Sequence, residues 1–186
     1  MKGEPDMKIM IASDIHGSAK YCKKLLAAFK NEAADRLILL GDILYHGPRN
    51  DLPEEYAPKT VIELLNTYKD RIFAVRGNCE AEVDQMVLEF PVMADYMLLP
   101  VGERMVYATH GHIYNIKNLP PMRKGDILLT GHTHVMVCED GQDFVYMNPG
   151  SVSIPKNDSP RGYIVLEDKR FIFKTLEGEY IKVFEA

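Results

Sequence analysis

The chain has 186 residues, 46% hydrophobic and 26% charged, with a formal net charge of −5. That length buries a core without staples, and the acidic balance excludes non-specific nucleic-acid binding through a broad basic face. No apolar run reaches the ~20 residues of a membrane span. The three scattered cysteines, Cys22, Cys79 and Cys138, make a poor disulfide framework and point to a reducing cytoplasm.

Residues 1–6 are polar, lack the apolar stretch of a signal peptide and read as a loose leader. Residues 7–186 then read as one domain. Lys8 to Ala12 is a compact apolar run, the mark of a buried strand. Ser18 can cap a helix whose apolar face is Cys22, Leu25, Leu26, Phe29 and Ala33. Arg36 to Leu40 is a second strand, Tyr56 to Tyr68 a second helix with Val61, Leu64, Leu65 and Tyr68 in register, and Arg71 to Val75 a third strand. This alternation predicts parallel strands joined by crossover helices.

The second half is richer in strands. Tyr96–Leu99, Met105–Thr109, Ile127–Thr130, Val135–Cys138, Phe144–Met147, Tyr163–Glu167, Arg170–Thr175 and Tyr180–Phe184 are the candidates. Turns at Val101-Gly102-Glu103, Glu139-Asp140-Gly141 and Glu177-Gly178 separate some of them. The pattern predicts two packed sheets with helices outside.

The chemistry gathers where strands end. Ser13-Asp14-Ile15-His16-Gly17, Gly41-Asp42, Arg76-Gly77-Asn78-Cys79-Glu80, Thr109-His110-Gly111-His112 and Gly131-His132-Thr133-His134 each follow a predicted strand. In parallel sheets, ligands bind beyond the carboxyl ends of strands, and glycine lets the backbone approach them closely. If these segments are extended, residues two apart face one side, so Asp14 with His16 and His132 with His134 would point into one cavity. Asp14, His16, Asp42, Asn78, His110, His132 and His134 supply seven ligands, more than one divalent ion needs. The set suits two ions a few Å apart with a shared carboxylate. Mixed nitrogen and oxygen donors favour Mn²⁺, Fe or Zn²⁺ over Ca²⁺ or a structural thiolate site.

These motifs, in this order, resemble the calcineurin-like metallophosphoesterase superfamily, with its D-x-H, G-D, G-N-H-D/E, lone H and G-H-x-H elements. The loop His46-Gly47-Pro48-Arg49-Asn50, the variant Gly77-Asn78-Cys79-Glu80 and the stretch Asn148 to Ser153 are similar to the small bacterial YfcE-type phosphodiesterases. The resemblance implies an α/β fold, a four-layer αββα sandwich of two mixed sheets with flanking helices. It implies two divalent metal ions, Mn²⁺ first, with Zn²⁺, Fe or Ni²⁺ as alternatives. Asp14, His16, Asp42 and His134 would hold one ion, and Asp42, Asn78, His110 and His132 the other. A hydroxide bridging the ions would attack the phosphorus of a small phosphodiester.

Two positions depart from the superfamily pattern. Cys79 stands where a histidine usually assists the leaving group, so Cys79, His46 and His112 become the candidates for proton transfer. Tyr45 replaces an Asp or Asn of many relatives, which removes a side-chain hydrogen bond to a ligand. Arg49 and Arg76 are candidate phosphate contacts, with a solvated loop and a structural ion pair as their alternatives. Asn148 to Ser151 is read as a brace for the site or as a tight turn. A phosphomonoesterase on the same site, or a non-catalytic scaffold like the retromer subunit of this fold, are the competing readings. No track for long nucleic acid is evident, and the Met and Tyr content leaves room for a homo-oligomer interface.

Overall fold

A computed structural model describes residues 7–186. The polar leader expected at residues 1–6 lies outside the described residues. The first half runs β1 (Ile9–Ala12), α1 (Ala19–Asn31), β2 (Arg36–Leu39), α2 (Pro58–Asn66), β3 (Ile72–Ala74) and α3 (Glu82–Val87). The second half is β4 (Tyr96–Val101), β5 (Arg104–Thr109), β6 (Ile127–Leu129), β7 (Met136–Asp140), β8 (Val145–Pro149), β9 (Gly162–Glu167), β10 (Arg170–Thr175) and β11 (Tyr180–Glu185).

Two mixed sheets form, one of six strands in the order β11-β10-β9-β1-β2-β3 and one of five in the order β4-β5-β6-β8-β7. β1, β2 and β3 pair in parallel, as the alternation with helices predicted. β5, β6 and β8 are the parallel strands of the second sheet.

Burial explains the near-continuous apolar runs of the first sheet. Met10, Ala12, Leu37, Leu39, Tyr163 and Val165 face a core shared with α1 and α2. Their neighbours Ile11, Ile38, Leu40, Ile164 and Leu166 face Val106, Ala108, Ile127, Leu129, Val145 and Met147 of the second sheet. A sheet covered on both sides leaves no position for a polar alternation. Chain connecting β5 and β6 packs beside the second sheet, with Tyr107 Oη donating to the Pro121 carbonyl at 2.7 Å.

The helix ends follow local chemistry. The Ser18 hydroxyl accepts from the Tyr21 amide and caps α1. The helix stops at Asn31, and Ala33, expected on its apolar face, lies beyond the end with φ +51°. α2 is shorter than the predicted Tyr56–Tyr68 because Pro58, with its fixed φ, starts it. Tyr68, past its end, still packs edge-on against Phe29. α3 was not anticipated. Its entry is fixed by Asp84, whose carboxylate accepts from the Ala81 amide at 2.9 Å.

Candidate metal centre

The parallel strands β1, β2 and β3 of one sheet and β5 and β6 of the other aim their carboxyl ends at one place. Asp14 and His16 follow β1, Asp42 follows β2, Asn78 follows β3, His110 follows β5, and His132 and His134 follow β6. The connecting backbone is not extended, contrary to the spacing argument. Asp14, His16, Asp42, His132 and His134 have φ of +60°, +50°, +53°, +66° and +61°. Left-handed conformations of non-glycine residues are uncommon and collect at functional sites, and Asp and His tolerate them better than most. The side chains still converge, but through tight turns. Gly77 is required at its position: a Cβ there would lie 2.2 Å from Asp42 Oδ1.

Two clusters of donors result, with a third overlapping both. Asp14, His16 and His134 place one ligand atom each within 4.8 Å of one another, so do Asp42, His110 and His132, and so do His16, Asp42 and Cys79. Asp42 Oδ2 stands between the clusters, 3.7 Å from His16 Nε2 and 3.5 Å from His110 Nε2. Asn78 Oδ1 joins the second cluster, 3.2 Å from His110 Nε2. His132 and His134 thus belong to different clusters: His132 Nδ1 is 3.1 Å from His110, and His134 Nε2 is 3.1 Å from His16.

The donor chemistry calls for positive charge. Carbonyl oxygens only accept, so His16 Nδ1 donates to Tyr45 O, His110 Nδ1 to Leu40 O and His134 Nδ1 to Ile154 O, at 2.7 to 2.8 Å. In the neutral rings this leaves each Nε2 as a lone pair aimed at the centre. The Nε2 atoms of His16 and His134 then face each other, beside Asp14 Oδ1, which is buried with no hydrogen-bond partner. Only a proton or a cation relieves that arrangement, and a divalent ion fits the donor set of imidazole, carboxylate and amide oxygen. The balance of charge points the same way. Burial lowers the imidazole pKa of His16 and His110, but the neighbouring carboxylates outweigh it and raise both, His110 to about 9. Burial raises Asp14 and Asp42, yet the imidazoles hold both below the usual carboxylate range.

A family model described as the calcineurin-like phosphoesterase superfamily domain matches residues 7–170. The chain belongs to that superfamily. It is 46% identical over 162 residues to the Escherichia coli (strain K12) protein named Phosphodiesterase YfcE, covering 87% of this chain and 88% of that one. The solved structure of the E. coli phosphoesterase Yfce superposes with a TM-score of 0.91 at 43% identity, covering 96% of this chain and 98% of that one. Vacuolar Protein Sorting 29 from Cryptosporidium parvum shares the fold at a TM-score of 0.62 and 14% identity, with 98% and 100% of the chains covered.

This metallophosphoesterase holds its donors with groups that carry little sequence signal. Glu80, 8% exposed, accepts from the backbone amides of Asp42 at 2.9 Å, Ile43 at 2.7 Å and Gly77 at 2.5 Å. Asn148 Nδ2 donates to Gly131 O at 2.7 Å and to Thr133 Oγ1 at 3.0 Å, and the hydroxyls of Ser151 and Ser153 donate to Asp14 O. The stretch read as a brace or a turn therefore braces. Tyr45 contributes its carbonyl to His16 while its side chain is exposed.

The remaining candidates separate. The Cys79 amide donates to Asp42 Oδ1 at 2.9 Å and its thiol to Asp42 Oδ2 at 3.3 Å. Burial first, and then the charge of Asp42, push that thiol's pKa well up. His112 lies 5.4 Å, ring to ring, from His110, with Nδ1 buried and unpartnered, and burial and the neighbouring imidazoles lower its pKa. His46 is set edge-on to Tyr45 and Tyr56 and is in none of the donor clusters. Arg76 lies 4.0 Å from Asp95 and, like His46 and His112, does not line the cleft over the donors. That cleft, about 370 Å³, is lined by Asp42, Asn78, Cys79 and His132 and also by Arg49 and Lys156. Lys156 had no sequence signal: it sits in an irregular loop after β8.

Proposed function

We propose that this chain is a two-metal phosphodiesterase acting on a small phosphodiester, with residues 7–186 as one catalytic domain. The observation that carries the proposal is the pair of donor clusters on either side of Asp42. The 46% identical relative bearing the name phosphodiesterase supports it. In this reading Asp14, His16, Asp42 and His134 hold one ion, and Asp42, Asn78, His110 and His132 the other. Mn²⁺ is our choice, since hard carboxylate and amide oxygens accompany the imidazoles. Bound divalent ions supply Lewis acidity, acidifying water toward neutral pH and offsetting charge on phosphoryl oxygens.

The protein's own groups orient and select. Carbonyls of Tyr45, Leu40 and Ile154 fix the histidine tautomers so that Nε2 points inward. Glu80 and the Cys79 amide hold Asp42 from its backbone and from its Oδ1. The cleft volume lies at the low end of small-molecule sites, about 300–1,000 Å³, and suits a small ester over a polymer. Of the three residues considered for proton transfer, Cys79 has its thiol committed to Asp42 Oδ2 at 3.3 Å. His46 and His112 are not among the residues lining the cleft, and the His112 ring lies 6.5 Å from that of His132. Without a strong acid at the leaving group, diesters with good leaving groups are favoured over alkyl monoesters. Three free cysteines agree with a cytoplasmic setting, and no helix among the described residues is long and apolar enough to cross a membrane.

The test is hydrolysis of bis(p-nitrophenyl) phosphate beside p-nitrophenyl phosphate. Protein is stripped with chelator, Mn²⁺ is restored, and Asp42→Asn runs in parallel. Diester cleavage that returns with Mn²⁺ and is lost in the variant supports the proposal. Preferential monoester cleavage would replace it with a phosphomonoesterase, and no turnover with any divalent ion in folded protein would replace it with a scaffold role.

A further inference from the structure

Arg49 and Lys156 are exposed cations that line the cleft from different loops. Among the described residues neither lies within 4.0 Å of a carboxylate, whereas Lys23, Lys24 and Lys69 on the same acidic chain are paired with glutamates. Their backbones are not free to wander. The Lys156 amide donates to the carbonyl of His134 at 3.1 Å, and its own carbonyl accepts from the Ser159 amide across a turn with left-handed Asn157 and Asp158. Arg49 sits in a turn closed by the Asn50 side chain, which donates to His46 O at 2.8 Å. That turn lies directly against Cys79: a Cβ on Gly47, φ +77°, would stand 3.3 Å from Cys79 Sγ. Each cation is therefore placed by a loop that touches a donor residue or its immediate neighbour.

A phosphodiester's reacting phosphate carries a single negative charge, which the donor clusters and their ions already offset. Arg49 and Lys156 add two further cations to the same cleft. We propose that Arg49 and Lys156 clamp a second anionic group, a phosphate monoester, carried by the substrate on the far side of its scissile diester. The guanidinium offers a planar fork for phosphate oxygens and the ammonium a movable point charge, so the pair suits phosphate better than carboxylate. The substrate class becomes a small diester with an additional terminal phosphate. This rests on the two-metal reading for the location of the reacting phosphate, while the clamp itself is a property of the two loops.

The experiment measures binding by calorimetry on the full chain, with Mn²⁺ and after chelation. Thymidine 5′-phosphate and thymidine 3′,5′-bisphosphate are the probes, matched except for the second phosphate. The bisphosphate is expected to bind at least about tenfold more tightly, equivalent to ~1.4 kcal/mol, with the excess shrinking as salt is added. In Arg49→Gln and in Lys156→Gln that ratio falls to a few-fold, and in the double variant to near one. Lys182→Gln, whose amine lies on the Cys138 carbonyl away from the cleft, keeps the ratio. A ratio near one in the unmodified protein, or a preference that survives the double variant, overturns the clamp. Diester hydrolysis without the ratio overturns the clamp alone; the ratio without diester hydrolysis overturns only the phosphodiesterase reading.

Discussion

Glu80→Gln isolates the backbone support of Asp42 from the metal donors themselves. In the native protein Oε2 accepts from the amides of Asp42 and Gly77, and Oε1 accepts from Ile43. Glutamine keeps one acceptor oxygen, so its amide group must face at least one of these N–H donors. A buried donor left without a partner costs about 1–3 kcal/mol, and loss of charge assistance from the other two bonds costs about 1 kcal/mol each. Against this, glutamine is easier to bury. Burial and the charge of Asp42 raise the Glu80 pKa, so the neutral variant recovers part of that cost. The net expectation is a destabilisation of roughly 2–3 kcal/mol. At a urea dependence of about 2–3 kcal/mol per molar, the midpoint should fall by close to ~1 M. Mn²⁺ stoichiometry by elemental analysis should fall as well, because the Asp42 backbone loses its anchor. An unchanged urea midpoint with full metal loading would refute the assignment of Glu80 as the residue that fixes Asp42.

Other variants probe separate links. Gly131→Ala should abolish metal retention, because the added Cβ would lie 1.9 Å from Ser13 Oγ and 2.8 Å from Asp14 Oδ2; dialysed protein with native metal content would contradict this. Cys79→Ala should cost about 1 kcal/mol in thermal or urea stability through its lost bond to Asp42, and it should leave the pH profile of diester cleavage in shape. A limb that vanishes would make the thiol a proton donor after all. Glu32 bears on pH. Burial raises its pKa, but Lys174 and Tyr163 outweigh that and hold it below the usual carboxylate value. Its stabilisation is thus present above the unfolded pKa of about 4.3 and lost as pH falls through the lower folded value. Glu32→Gln should be less stable than the parent near neutrality and should show a flatter loss of urea midpoint on acidification; parallel curves would rule out the linkage.

Much of this architecture was readable in the chain because burial writes itself into local pattern. Met10-Ile11 and Leu37-Ile38 are apolar on both sides since each strand is covered on both faces, and the alternation with helices then forces parallel pairing. The segments that carry the candidate donors were readable because each contains a glycine just past a strand. The histidine tautomers, the role of Glu80 and the placing of Lys156 were not. They depend on backbone carbonyls and amides far away in sequence, which leave no residue-type signature. α3 escaped because its six residues bury no side chain and so carry no periodic stripe. The left-handed turns reversed the reason for the D-x-H and H-x-H spacing while keeping its outcome.

The first cluster joins the two ends of the fold. His134 lies 118 residues from His16, and the Ser151 hydroxyl reaches back 137 residues to Asp14 O. Contacts of such separation form only once both sheets have docked, so the centre belongs to the high-contact-order part of folding. A divalent ion held there, as proposed, would recognise only the finished fold, and by mass action it would stabilise that whole fold and no single loop.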